Sequence, residues 1–156
     1  MAISMQDIKE LRELTGAGLM EVKKALEAAN GDKDEAVKAI RLAGKKSLAK
    51  REDRSTANGL VMAKVVDTDQ GQAGVMLEMN SETDFVGKSP KFVAAAEEIL
   101  QALVDSAVST REELLEAKCG EGTVQDKVEE IGALFAEHIV LGKVPRVEGE
   151  AVTSYL

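Results

Sequence analysis

The sequence predicts an α+β chain: an N-terminal three-helix bundle followed by an antiparallel sheet covered by helices. Three observations lead there. Apolar residues recur at helical spacing in three short stretches between Ser4 and Ile40. After Asn58-Gly59 the period drops to that of extended chain. From Ser89-Pro90 it returns to steps of three and four.

The elements follow in order. Ser4 caps a first helix with Ile8, Leu11 and Leu14 along one side. Thr15-Gly16-Ala17-Gly18 breaks it, two close glycines giving the backbone freedom for a tight connection. A second helix carries Leu19, Val22, Leu26 and Ala29, and Asn30-Gly31 stops it. Asp32 and Glu35 resemble a capping box for a third helix burying Ala36, Val37 and Ile40. Such a bundle is close to the lower size limit for independent folding. Residues 1–54, ending in a basic linker, are therefore expected to form one domain and residues 55–156 a second.

In the second domain, Leu60 to Val66 and Ala73 to Met79 read as two strands joined by the turn Thr68-Asp69-Gln70-Gly71. Val75, Leu77 and Met79 alternate onto one face. Ser89 supplies a capping hydroxyl and Pro90 a first helical residue. Phe92, Ala96, Ile99, Leu103 and Ala107 then form the stripe that covers the sheet. Thr110 and Glu113 make a capping box for a short helix ending at Gly120. Thr123 opens another with Val124, Val128, Ile131 and Phe135 on one side. His138 to Leu141 and Val144 look extended, and Pro145 marks an edge strand or bulge. Glu148-Gly149-Glu150 is read as a turn, and Ala151 to Leu156 as the start of another strand.

Composition narrows the function. Of 156 residues, 28 are acidic and 20 basic, a formal net charge of −8. Such acidity argues against a chain that binds nucleic acid or an anionic membrane with its whole surface. Lys45, Lys46, Lys50, Arg51 and Arg54 form a local exception, read as a solvated linker or helix extension, with a partner-steering patch as the alternative. No aromatic is interleaved there for base stacking. Cys119 is the single cysteine, which suits a reducing compartment. The N-terminus shows no signal peptide, and no apolar run approaches the roughly 20 residues needed to span a bilayer. The chain is expected to be soluble and cytoplasmic, with no direct nucleic-acid or membrane partner; its oligomeric state stays open.

Catalytic chemistry is hard to find. His138 has no neighbouring His or Cys at zinc-ligand spacing. Gly16-Ala17-Gly18 lacks the Gly-Lys-Ser/Thr ending of a phosphate loop. Glu82 and Asp84 share a short loop without further ligands. A binding protein without cofactor or metal is favoured over an enzyme. Its most telling residue is Phe85, in Thr83-Asp84-Phe85-Val86 between an extended run and a helix start. The chain has only three Phe, one Tyr and no Trp. A large ring in a polar loop reads either as a probe for a partner's pocket or as a plug for the protein's own core.

Two segments carry a resemblance. Ile8-Lys9-Glu10-Leu11-Arg12-Glu13-Leu14-Thr15-Gly16-Ala17-Gly18 continues through Leu19-Met20-Glu21-Val22-Lys23-Lys24-Ala25-Leu26 to Asn30-Gly31-Asp32. Glu78-Met79-Asn80-Ser81-Glu82-Thr83-Asp84-Phe85-Val86 follows, with the basic linker Ala49-Lys50-Arg51-Glu52 between. In order and spacing they resemble the bacterial elongation factor Ts family, the guanine-nucleotide exchange factors of elongation factor Tu. The resemblance is strong over residues 3–95 and traceable to Leu156. It implies a ubiquitin-associated-like N-terminal bundle and an α+β core subdomain of the dimerisation type. It implies that Thr83, Asp84, Phe85 and Val86 engage the nucleotide-binding domain of elongation factor Tu and help dislodge magnesium. It further implies that Leu14, Leu19 and Met20 contact a helix of that domain; read from the residues alone, Leu19 and Met20 also suit core packing, with one of the two facing inward.

The chain departs from the family pattern in one segment and at its end. Where many members have Ile-Gly-Glu-Asn/Lys-Ile and then Arg-Arg, it has Phe135-Ala136-Glu137-His138-Ile139 and then Gly142-Lys143. Longer members continue into a second core subdomain, so the chain looks like a fragment or a shortened relative. The alternative to an exchange factor is a non-catalytic interaction module built on the bundle.

Overall fold

The structure is a computed structural model and describes residues 3–155. It is α+β and divides into two compact units: residues 1–54 with 129–138, and residues 55–128 with 139–156.

The first unit contains α1 (Met5–Thr15), α2 (Leu19–Ala28) and α3 (Lys33–Ala49). Ser4 and Asp7 form a reciprocal capping box on α1, satisfying backbone donors that the helix leaves orphaned. Asp32 caps α3 by accepting from the Glu35 amide. Ile8, Leu11, Val22, Leu26, Ala36 and Ile40 form one buried cluster. Gly16 ends α1 in the left-handed region, at φ 69. Its missing side chain leaves room for Leu134, since a Cβ there would strike that side chain. The α3 helix runs through the first half of the basic segment, and residues 50–54 continue as turns. Within it Lys45 pairs with Glu129 at 2.7 Å.

The second unit is built on β1 (Asn58–Thr68) and β2 (Gly71–Ser81), an antiparallel hairpin in register from Thr68–Gly71 to Asn58–Ser81. The other edge of β2 pairs antiparallel with β5 (Val140–Leu141) and then β6 (Arg146–Gly149). Between these two, Lys143 and Pro145 accept hydrogen bonds from Glu78 and Met76 through their carbonyls, so Pro145 sits in an edge segment and spares the ladder a donor. Ala73, Val75, Leu77, Met79 and Ser81 are buried along one face of β2. The helix α5 (Pro90–Ser106) covers that face with Phe92, Ala95, Ala96, Ile99 and Leu103. Three smaller elements intervene before the last helix: α6 (Arg111–Glu116), capped reciprocally by Thr110 and Glu113, and the two-residue strands β3 (Lys118–Cys119) and β4 (Gly122–Thr123). Cys119 is buried. The α7 helix (Val124–Phe135) follows. The remaining element, α4 (Asp84–Gly87), carries the candidate site.

Several expectations are corrected. Ser89 precedes α5 but its hydroxyl makes no capping bond; Pro90 alone sets the start. Ala107 is not part of the buried stripe: it ends α5 in the left-handed region, exposed, at φ 53. The helix after Thr110 stops at Glu116 rather than Gly120, which instead turns the β3–β4 hairpin at φ 62. Glu148 and Gly149 pair with Ala73 and Gln72 rather than forming a turn. No strand follows over residues 151–155, where the Val152 amide is satisfied by the Gln72 side chain at 2.9 Å; Leu156 lies outside the described residues.

Candidate partner-binding site

At the open end of the hairpin, Asn58 and Ser81 face one another as the last rung. Ser81 is fully buried, and its hydroxyl donates to the Thr83 carbonyl at 2.8 Å. Asn58 Nδ2 donates to the Glu82 carbonyl at 2.8 Å. The chain then turns into α4. Thr83 caps it, its Oγ1 accepting from the Val86 amide, and the Gly87 and Lys88 amides close the turn onto the Thr83 and Asp84 carbonyls. The expected loop is thus a single helical turn.

That turn sorts its four residues. Val86 and Gly87 are buried, whereas Phe85 is 83% exposed. Phe85 therefore projects outward and plugs no core. Asp84 pairs with Lys88 at 2.8 Å. Donation from Lys88, with its positive charge, holds the Asp84 carboxyl below the usual aspartate range, so the site presents an ionised carboxylate beside an apolar ring.

Sequence reasoning missed the parts that seat this turn. Gly59 adopts φ 140, and a Cβ there would lie 2.8 Å from the Asn80 Cα. A Cβ on Gly87 would lie 3.1 Å from the Gly59 Cα. Two glycines let the backbones of β1 and α4 come together. The only signal in the sequence was Asn58-Gly59, which read as a boundary between elements.

In the first unit, Leu14 lies in the last turn of α1 and Leu19 and Met20 begin α2 on either side of the Gly16–Gly18 connection. They are 63%, 43% and 61% exposed, so neither Leu19 nor Met20 faces inward as expected. Val22 and Leu26 fill the core in their place.

Among the described residues, no group of three or more His, Cys, Asp or Glu could hold a metal ion, and no helix is long and apolar enough to cross a membrane. A cavity of about 240 Å³ in the second unit is lined mainly by apolar residues, with Lys64 and Tyr155 as its titratable groups. Lys64 reaches Gln101 on α5 at 2.7 Å.

Comparison with known proteins adds an independent line. The family model described as Elongation factor TS matches residues 82–156. Elongation factor Ts of Bifidobacterium longum subsp. infantis is 47% identical over 154 residues, 99% of this chain and 54% of that protein. That of Paenarthrobacter aurescens is 48% identical over 150 residues, 96% of this chain and 52% of that protein. For Beutenbergia cavernae the figures are 48% over 152 residues, 96% and 54%. The chain spans about half the length of the curated relatives it matches.

Proposed function

Because the chain belongs to the elongation factor Ts family, we propose that it promotes guanine-nucleotide exchange on elongation factor Tu, with Phe85 as the group that opens the partner's magnesium and phosphate site. The observation that carries the reading is the exposed ring of Phe85 on a capped helical turn whose neighbours Val86 and Gly87 are buried.

The physics needs no bond-making chemistry. A bound guanine nucleotide is held by magnesium and by backbone donors around its phosphates. A protein that binds best to the partner conformation in which those contacts are broken lowers nucleotide affinity by its own differential binding. Burying the Phe85 ring between elements of the partner would supply about 1.5–3 kcal/mol, a factor of about 10 to 150 in release. The ionised Asp84 accepts donors from the displaced partner segment, and Thr83 and Val86 hold the turn that aims both. Leu14, Leu19 and Met20 supply a second contact from a ubiquitin-associated-like bundle, giving affinity without leverage on the metal.

The test is release of fluorescent GDP from elongation factor Tu. Catalytic amounts of the chain accelerate it, and Phe85→Ala loses at least about tenfold of the acceleration while keeping its circular dichroism spectrum. Unchanged release at saturating protein would sink the reading. The exposed apolar trio around the α1–α2 connection also suits a pure interaction module. That reading expects Phe85→Ala to bind and act as the parent does, and Leu14→Ser with Met20→Ser to abolish binding.

A further inference from the structure

We propose that Asn58 and Ser81 are positioning residues that pre-set Phe85 for docking, a role that rests on the exchange reading of Phe85. They sit opposite one another on the final rung of the β1–β2 ladder, one from each strand. Each donates to one of two consecutive carbonyls, Asn58 to Glu82 and Ser81 to Thr83, both at 2.8 Å. These carbonyls lie immediately before α4, so the two bonds fix the direction in which the turn leaves the sheet. Ser81 is the one buried polar residue in a line of apolar ones, Ala73, Val75, Leu77 and Met79. An apolar residue would continue that line more cheaply, since a buried hydroxyl is tolerated only with a partner. Here the partner is the carbonyl of the residue that caps α4. The close approach of the Gly59 and Gly87 backbones is a further attachment of the turn to the sheet.

A four-residue helix is too short to hold itself together, because one turn fixes several dihedral angles for few hydrogen bonds. Its order must come from attachments to the sheet. Removing them leaves the ring free to wander, and only the fraction of molecules with the correct turn would dock. Apparent affinity then falls by that fraction, while the complex, once formed, is the same complex. The signature is a split: the half-saturating concentration for nucleotide release rises and the maximal release rate does not change. Phe85→Ala shows the opposite pattern, losing maximal rate.

Asn58→Asp is the sharpest variant, because it is nearly isosteric and replaces a donor with an acceptor facing the Glu82 carbonyl. Ser81→Ala is its companion. Two readouts are taken on the full chain: amide hydrogen exchange at Gly87 and Lys88, which needs no partner, and fluorescent GDP release across a range of chain concentrations. Asn58→Asp is expected to speed exchange at both amides and to raise the half-saturating concentration about tenfold, the effect of setting a carbonyl against an acceptor. Unchanged amide exchange in Asn58→Asp and Ser81→Ala overturns the proposal, as does a lowered maximal rate with unchanged half-saturation. Full activity in Phe85→Ala would instead sink the exchange reading; the amide arm then still decides whether these two residues hold the turn. Should Ser81→Ala fail to fold, Asn58→Asp on the exposed strand end carries the test alone.

Discussion

Ala136 occupies a backbone conformation that favours glycine. It follows α7 with φ 55, and the Glu137 amide reaches back to the Gly132 carbonyl, the six-to-one bond of a helix ending on a left-handed residue. This is the position at which the resemblance set a glycine against the alanine of this chain. An L-residue there costs about 1–2 kcal/mol, part of which glycine would give back through its looser unfolded state. Ala136→Gly and, at the end of α5, Ala107→Gly should therefore each raise stability by about 0.5–1 kcal/mol in urea unfolding. Gly18 shows the converse. It precedes α2 with ordinary φ −64, makes no side-chain cap, and has nothing within 4 Å of a built Cβ. Gly18→Ser should gain a few tenths of a kcal/mol by supplying the cap. Gly16→Ala should lose stability, since its φ is positive and Leu134 fills the space.

At the scale of elements, β2 and α5 carry the second unit. Phe92 is fully buried between them, and Phe92→Ala should cost about 3–5 kcal/mol in thermal or urea unfolding, more than any surface change. The edge of the sheet depends on Glu78 as much as on backbone pairing. Its carboxylate accepts from the Lys143 amide at 2.9 Å and from Asn80 Nδ2 at 3.1 Å, and both interactions hold its carboxyl below the usual glutamate range. Gly142 leaves the room this carboxylate occupies: a Cβ there would lie 2.7 Å from the Glu78 Cγ. Gly142→Arg should expel the carboxylate and speed amide exchange at Lys143.

The elements legible in advance were those with their own chemical punctuation. Ser4 alone and Thr110 with Glu113 gave helix starts, and the alternation Val75, Leu77, Met79 gave a strand and its buried face. Three of the shortest elements were not legible: α4, β3 and β4 are too short to show a period and exist through tertiary closure. Ala151 to Tyr155 has strand-like composition but no ladder partner. Phe85 itself could be singled out from its rarity and polar neighbours. Its orientation depended on Ser81 and on two glycine backbones meeting, which no local pattern encodes.

For the molecule as a whole, acid should find the two units unequally prepared. Lys33 bridges α1 and α3, with Asp7 at 2.8 Å and Glu10 at 2.6 Å. Donation from Lys33 and then from Ser4 holds the Asp7 carboxyl at about 2, against an ordinary 3.8. A carboxyl depressed on folding adds stability above its unfolded value and loses it as pH falls toward the folded one, here between 3.8 and about 2. Lys33 is shifted upward, so its contribution is complete below 10.5 and is lost only in strong alkali. Lys33→Ala should move the acid midpoint of the bundle to higher pH, read from the amide signals of Val22 and Leu26. Because the groups are exposed, about 1 M salt should shrink that difference.

Cys119 lies below the protein surface, and it is the chain's single sulfur nucleophile. A maleimide dye added to the native fold therefore meets no ready competitor. Lys91→Cys, at the exposed start of α5, would give a fluorophore one address near Phe85 without altering the ring, and docking could be followed optically, in real time, on a background that needs no prior engineering.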